Sequence, residues 1–283
     1  MEDQEEWTEV IGAKRRIFEF KFKELWQYRE LILLFVNRDF ITVYKQTVLG
    51  PLWFVVQPLL TTLTYTIIFG NIAHIGTDGL PKLLFYMSGV VIWSYFSSCL
   101  NKTSGTFINN AGIFGKVYFP RLVIPMSNVI GSLISFGIQF LLFMLFLLYY
   151  KFVQHSNIHP NIYILLTPVL LAMMAALGLG VGIIISSFTI KYRDLNFLIA
   201  FAVQLLMYAT PVIYPVSSVP DKFKGLIYIN PLTAIIEAFR FAYLGAGTIH
   251  PQDLLYSGLS ALLILLAGIV LFNRVEKTFM DTV

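Results

Sequence analysis

Glu237 and Arg240 stand three residues apart in an apolar stretch, 232–244. A helix there puts a carboxylate and a guanidinium on one face, where they favour pairing. Other candidates for chemistry are few. His155 and His159 are four apart, a spacing that suits a metal, but no cysteine or carboxylate stands near them, and a surface pair is the plainer reading. Cys99 is the one cysteine; inside an apolar run it reads as a small buried hydrophobe. No Gly-x-x-x-x-Gly-Lys-[Ser/Thr] phosphate loop occurs. Gly178-Leu-Gly-Val-Gly182 lies within an apolar run without a preceding strand, so ATP binding by that route is excluded. No catalytic residue, metal ligand or cofactor is expected on this chain.

The elements that must position these residues are membrane helices. Hydrophobic residues make up 57% of the chain and charged ones 13%, with a mean hydropathy of +0.73; soluble domains carry about 25% charged residues. A crossing needs about 20 apolar residues. Six runs qualify: Gly50–Ile72, 83–103, 122–150, 161–188, 196–213 and 254–272. The fold expected is an all-α polytopic membrane protein of one bundle, with both termini on the same side. Fifteen Lys and Arg fall on that side and five on the other, which makes it cytoplasmic. The net charge of +4 follows from this bias, together with contact to anionic membrane lipids, and calls for no nucleic-acid partner. The acidic start has no short apolar core behind it, so the first span is expected to act as the insertion signal.

Three regions qualify this plan. Residues 1–16 form an acidic, then basic, flexible start, and residues 17–48 an amphipathic helix lying in the cytoplasmic interface; a cytosolic helix packed on protein is the alternative. The membrane domain fills 49–283, opening with Pro51 in a helix's first turn, where proline is tolerated. The polar stretch 104–121 is long enough for a short helix parallel to the membrane. Gly178, Gly182 and Ser186, at four-residue spacing, let helices approach closely. Residues 214–247 are broken by Pro215, Pro220, Asn230 and Pro231 into two apolar pieces too short to cross. They read as re-entrant half-helices, against the alternative of a solvated loop. The spans hold almost no ionisable residue, which argues against proton or sodium coupling. They carry aromatic and hydroxyl groups instead. Aromatic faces stack on sugar rings, and the same residues also suit interface belts and packing.

The order of motifs resembles the bacterial ABC-2 type export permeases, closest to the polysaccharide and polyol-phosphate exporters. The matching residues are Leu25-Trp26, Arg29-Glu30-Leu31, Arg38-Asp39-Phe40, Tyr44-Lys45-Gln46-Thr47 and Leu49-Gly50-Pro51-Leu52-Trp53. Further along come Phe114-x-Lys116-x-x-Phe119-Pro120-Arg121 with Pro125, Tyr192-Arg193-Asp194, Thr210-Pro211-Val212-Ile213-Tyr214-Pro215 and Asn230-Pro231-Leu232. The similarity spans about 20–280. It implies six spans, a homodimer in the bacterial inner membrane, and two cytoplasmic ATPase subunits that carry the ATP and Mg²⁺. The cargo it implies is a lipid-linked polysaccharide of O-antigen type, with teichoic acid, capsule or a small molecule as rivals; a membrane-embedded transferase would need catalytic groups that the spans lack. On this resemblance Asn109, Phe114, Lys116, Phe119 and Arg121 form the coupling segment, with the two phenylalanines anchored in an ATPase groove. Arg38 and Lys45 meet the substrate pyrophosphate or, alternatively, lipid headgroups. Tyr65, Trp93, Tyr95 and Tyr214 are expected on the channel wall.

Overall fold

The computed structural model describes residues 22–45, 47–189, 192 and 194–279. The flexible start (1–16), residues 17–21 of the interface helix, Gln46, Lys191 and Arg193 lie outside the described residues. Among the described residues every regular element is helical. Helices α1 (Phe22–Gln27) and α2 (Arg29–Lys45) come first. Ile32, Phe35 and Val36, at helical spacing, are buried on the side of α2 that meets α6 (Val123–Phe152). Trp26, Leu33 and Leu34 stay exposed. One side of α2 thus packs on protein, and the other keeps the apolar exposure that an interface helix needs.

Among the described residues, five helical stretches are long and apolar enough to cross a bilayer. The first begins as a tight turn with Pro51 (Gly50–Leu52), continues as α3 (Trp53–Tyr65) and widens into a π-helix, Thr66–Ile72. The next is α4 (Lys82–Ser104), which leads into the short α5 (Thr106–Phe114). Then come α6, about 45 Å long at 1.5 Å per residue, α7 (Thr167–Thr189, with a 3₁₀ lead-in Ile162–Leu166) and α11 (Pro251–Phe279). Helix α4 is central, flanked by α6 and α7; α7 also packs on α11. Small residues set those distances. A Cβ on Gly178 would lie 2.7 Å from Cys99 Cβ of α4, and one on Gly182 2.7 Å from Thr103 Cβ. On the opposite side of α7, a Cβ on Gly180 would meet the Leu265 backbone nitrogen of α11 at 2.8 Å.

The expected crossing at 196–213 is shorter in the structure. Helix α8 is Leu195–Tyr208, 14 residues, or about 21 Å against a ~30 Å hydrocarbon core. Pro211 lacks an amide hydrogen and steers Thr210 away from helical backbone, so residues 209–215 run on as non-helical chain. This chain is buried at Thr210, Pro211, Val212 and Ile213. Hydropathy continues through the proline; the helix does not. Two short helices follow, α9 (Asp221–Ile229) and α10 (Pro231–Leu244). Every residue from Leu232 to Arg240 is buried, whereas α9 buries none. Residues 231–244 are therefore an internal helix, which removes the solvated-loop alternative for that piece.

Candidate functional site

Helix α5 is pinned to the bundle at its start. The Phe107 amide donates to Ser186 Oγ of α7 at 3.3 Å, and the Phe107 ring stacks on Phe272 of α11 at 4.7 Å. From there an aromatic chain runs through Phe114 (5.9 Å), Phe119 (5.7 Å) and Phe35 of α2 (5.8 Å). Phe114 and Phe119 are each only 5% exposed. Their expected role as anchors in a partner's groove is thereby corrected: both rings lie in this chain's own core. The cause is the hydrophobic effect, worth about 1.5–3 kcal/mol per buried ring. Arg121 is also buried, its guanidinium 5.6 Å from the Phe114 ring centroid. What the tip presents outward is Asn109, Gly112 and Gly115-Lys116-Val117-Tyr118. Val117 and Tyr118 escaped the sequence reading. Their signal was an apolar pair between Lys116 and an inward phenylalanine.

At the end of α2, Arg38 Nη2 lies 2.7 Å from Asp39 Oδ1. Its guanidinium sits 4.7 Å from the Phe35 ring centroid. Lys45 is exposed. Phe40 stacks on Phe54 at 6.0 Å, joining α2 to α3. Trp53, Gln57, Leu60, Thr61, Thr64 and Tyr65 then line an open groove of about 370 Å³. Their spacing puts them on one helical face of α3. The Tyr65 hydroxyl donates to Met207 Sδ of α8 at 3.3 Å, so α8 borders that face. The other expected wall residues divide. Trp93 and Tyr95 are in the core, packed on Phe96 (5.4 Å) and Phe136 (5.6 Å) respectively. Their own burial takes both rings off the surface of this chain. Tyr214 is half-buried, and its hydroxyl donates to the Tyr208 carbonyl at 3.2 Å.

The broken segment is held by side chains that replace lost helical hydrogen bonds. Arg240 is 1% exposed. Its Nη1 donates to the carbonyl of Pro211 and, at 3.5 Å, to that of Tyr214; its Nη2 donates to that of Val212. Its Nε reaches Ser88 Oγ of α4 at 3.4 Å, and its guanidinium lies over Phe85 at 3.9 Å. Glu237, itself buried, accepts from Arg240 Nη1 at 3.4 Å. A helix end leaves carbonyls without partners, and non-helical chain at depth needs them satisfied; Arg240 supplies donors just beyond the end of α8. Asn230 works from the other side. Its Oδ1 caps α10 at the Leu232 amide (3.1 Å), while Nδ2 donates to Thr210 Oγ1 (2.8 Å) and the Ala209 carbonyl (3.4 Å). Pro231 is the first residue of α10, where its missing amide costs nothing, and Pro215 leads into a single 3₁₀ turn, Val216–Ser218.

Comparison with known proteins agrees with this architecture. The family profile of the ABC-2 type transporter matches residues 30–244. An O-antigen export system permease protein RfbA of Klebsiella pneumoniae is 27% identical over 253 residues, covering 89% of this chain and 94% of that protein. Its namesake in Myxococcus xanthus is 24% identical over 264 residues, 92% of this chain and 98% of the other. The polysialic acid transport protein KpsM of Escherichia coli is 23% identical over 250 residues, 87% and 93% of the two chains. With three-quarters of its length matched by the family profile and five membrane-length helices around a broken apolar segment, the chain belongs to the ABC-2 type transporter family.

Proposed function

We propose that this chain is the permease subunit of an ATP-driven exporter that moves a lipid-linked polysaccharide of O-antigen type across the bacterial inner membrane. The observation that carries the reading is the face of α3. Trp53, Gln57, Thr61, Thr64 and Tyr65 form a polar and aromatic stripe on a membrane-length helix with little of its surface buried in this chain. A purely lipid-facing helix has no use for an amide and hydroxyls at that position. A sugar chain does: rings stack on Trp and Tyr, and hydroxyls exchange hydrogen bonds with Gln and Thr. A second copy of this chain closes the open groove into a passage. Relatives named for O-antigen and polysialic acid support a polysaccharide cargo, with a capsular polymer as the rival.

Both termini and the α5 end face the cytoplasm, a reading supported by the bias of fifteen positive charges to five, with α8 and the buried non-helical chain after it together completing a sixth crossing. Two separate ATPase subunits bind ATP and Mg²⁺ and dock on the exposed tip, Asn109 and Lys116 to Tyr118. Arg38 and Lys45, beside the mouth of the α3 groove, receive the pyrophosphate of the lipid carrier by charge-assisted hydrogen bonds. Helices α9 and α10 form the re-entrant pair at the outer side.

The test is co-purification from the native host followed by an ATPase assay and an export assay in proteoliposomes. An ATPase whose hydrolysis depends on this chain, with export of lipid-linked glycan that falls in Thr64→Leu and Trp53→Ala, is the expected result. Export unaffected by both substitutions would remove the groove from the pathway, and the lack of any ATPase partner would remove the power source.

A further inference from the structure

We infer that Arg240 is a positioning residue that fastens the α9–α10 segment to α4, so that movement of α5 reaches that segment through a single stiff helix. The inference rests on the reading of this chain as an ATP-driven permease.

The partners of Arg240 come from three separate places. They are the non-helical carbonyls of Pro211, Val212 and Tyr214, Ser88 and Phe85 of α4, and Glu237 on its own helix. A guanidinium needed only to neutralise Glu237 would be complete with one of them. Its planar fork of donors is suited to holding several acceptors at fixed angles. The backbone of α4 is shaped to admit it. A Cβ on Gly89 would lie 2.7 Å from the Val212 carbonyl oxygen and 2.8 Å from Arg240 Nη2, so only a bare backbone lets the three meet.

The other end of α4 is the coupling end. The helix runs unbroken from Lys82 to Ser104, and one residue, Gly105, separates it from α5. Its interior is buried along nearly the whole length, so it is supported against bending. The clamp at Ser88 and Gly89 and the start of α5 are therefore joined by about 25 Å of one continuous rod. Helix α3 packs on α4 as well, but leaves most of its surface exposed in this chain. Helix α10 also packs on α7 and α11, the helices that anchor Phe107; α4 differs from them in joining α5 directly, across Gly105 alone, and in carrying the hydrogen-bonded clamp.

The experiment uses the complex of this chain with its ATPase in proteoliposomes. A reporter is placed by Ser217→Cys, at an exposed position of the Val216–Ser218 turn; the native Cys99 is buried and serves as the silent background. Labelling by a membrane-impermeant maleimide is timed with and without ATP plus vanadate. Nucleotide is expected to change the rate about fivefold or more, the size of an ordinary coupling between sites. In Arg240→Gln that nucleotide effect is lost while ATP hydrolysis stays within about twofold. Gly89→Ala, which keeps every clamp side chain but forces them off α4, gives the same loss and serves if Arg240→Gln does not assemble. A nucleotide effect that persists in both variants overturns the inference, because a merely structural arginine would lower stability and yield and leave the effect intact. Hydrolysis that depends on this chain but never alters the reporter also overturns it, with the permease reading intact. Absence of chain-dependent hydrolysis would instead defeat the permease reading itself.

Discussion

Replacing Phe114 and Tyr118 by alanine, one at a time, separates the core of the α5 tip from its docking surface. The two residues are four apart, both aromatic, and indistinguishable by composition. The structure assigns them opposite fates: Phe114 is 5% exposed and Tyr118 is 55% exposed. Phe114 loses contacts with Phe107 at 5.9 Å and Phe119 at 5.7 Å, and the Arg121 guanidinium at 5.6 Å loses the ring beneath it. A fully packed Phe→Ala change costs about 3–5 kcal/mol. At about 2–4 °C per kcal/mol for a chain of this order of size, Phe114→Ala lowers the thermal midpoint by roughly 6–20 °C. Tyr118→Ala, on an exposed position, stays within about 0.5 kcal/mol. The midpoint is read by intrinsic fluorescence of the detergent-purified chain, and association by pull-down of the ATPase. Tyr118→Ala should leave the midpoint in place and weaken ATPase capture. Equal midpoint shifts in the two variants, or a stable Phe114→Ala chain that simply fails to bind its partner, would refute the inward placement of the ring.

Three further outcomes follow from distances already given. Gly178→Ala forces a Cβ to 2.7 Å from Cys99 Cβ and 3.1 Å from the Phe96 carbonyl, and should cost about 1–3 kcal/mol by overpacking; Gly131→Ala, with nothing within 4 Å, should be neutral or gain up to about 1 kcal/mol from helix propensity. Identical melting shifts for that pair would contradict the helix contacts. Asp39→Asn releases Arg38 from an exposed pair worth about 0.2–1 kcal/mol, so binding of a short isoprenyl diphosphate, followed by native mass spectrometry, should tighten by up to about fivefold; weaker binding would show that Asp39 is not a competitor. Asn230→Ala removes the α10 cap and its ties to α8, costing about 1–2 kcal/mol, and should speed hydrogen exchange of the first amides of α10 while those of α6 keep their protection.

How much of this could be read from residue order differs by element, for physical reasons. The spans were legible because a bilayer demands long apolar runs, and the limits of α9 and α10 were legible because Pro220, Asn230 and Pro231 act on their own backbone. The end of α8 was misplaced by five residues because apolar character continues through Pro211 after the helix has stopped. The π-helix at Thr66–Ile72 has no local signature at all. Phe114 and Phe119 were legible as important and illegible as to direction, since a short polar segment has no long periodicity to orient a ring.

Trp93, Tyr95 and Arg240 show where a usable signal lay unread. Helix α4 carries a polar stripe, Ser94, Ser97, Ser98 and Asn101, but at about 100° per residue Trp93 and Tyr95 flank that stripe on either side, and both rings are buried and belong to packing. Helix α3 also has a stripe, with Gln57, Thr61 and Thr64 at spacings of four and three, and it is the face bearing the groove. Sequence alone pairs Arg240 with Glu237, the one other charged residue of 232–244. Yet Pro211 and Pro215 already announced a helix stopping inside an apolar run, and a helix that stops there leaves carbonyl oxygens without donors. A carboxylate has no donors to give them, whereas a guanidinium has five. The presence of an arginine after a proline-broken apolar run thus points to backbone carbonyls as acceptors, with the glutamate as a further partner, and the two shortest contacts of Arg240 are to the carbonyls of Pro211 and Val212, with Glu237 at 3.4 Å.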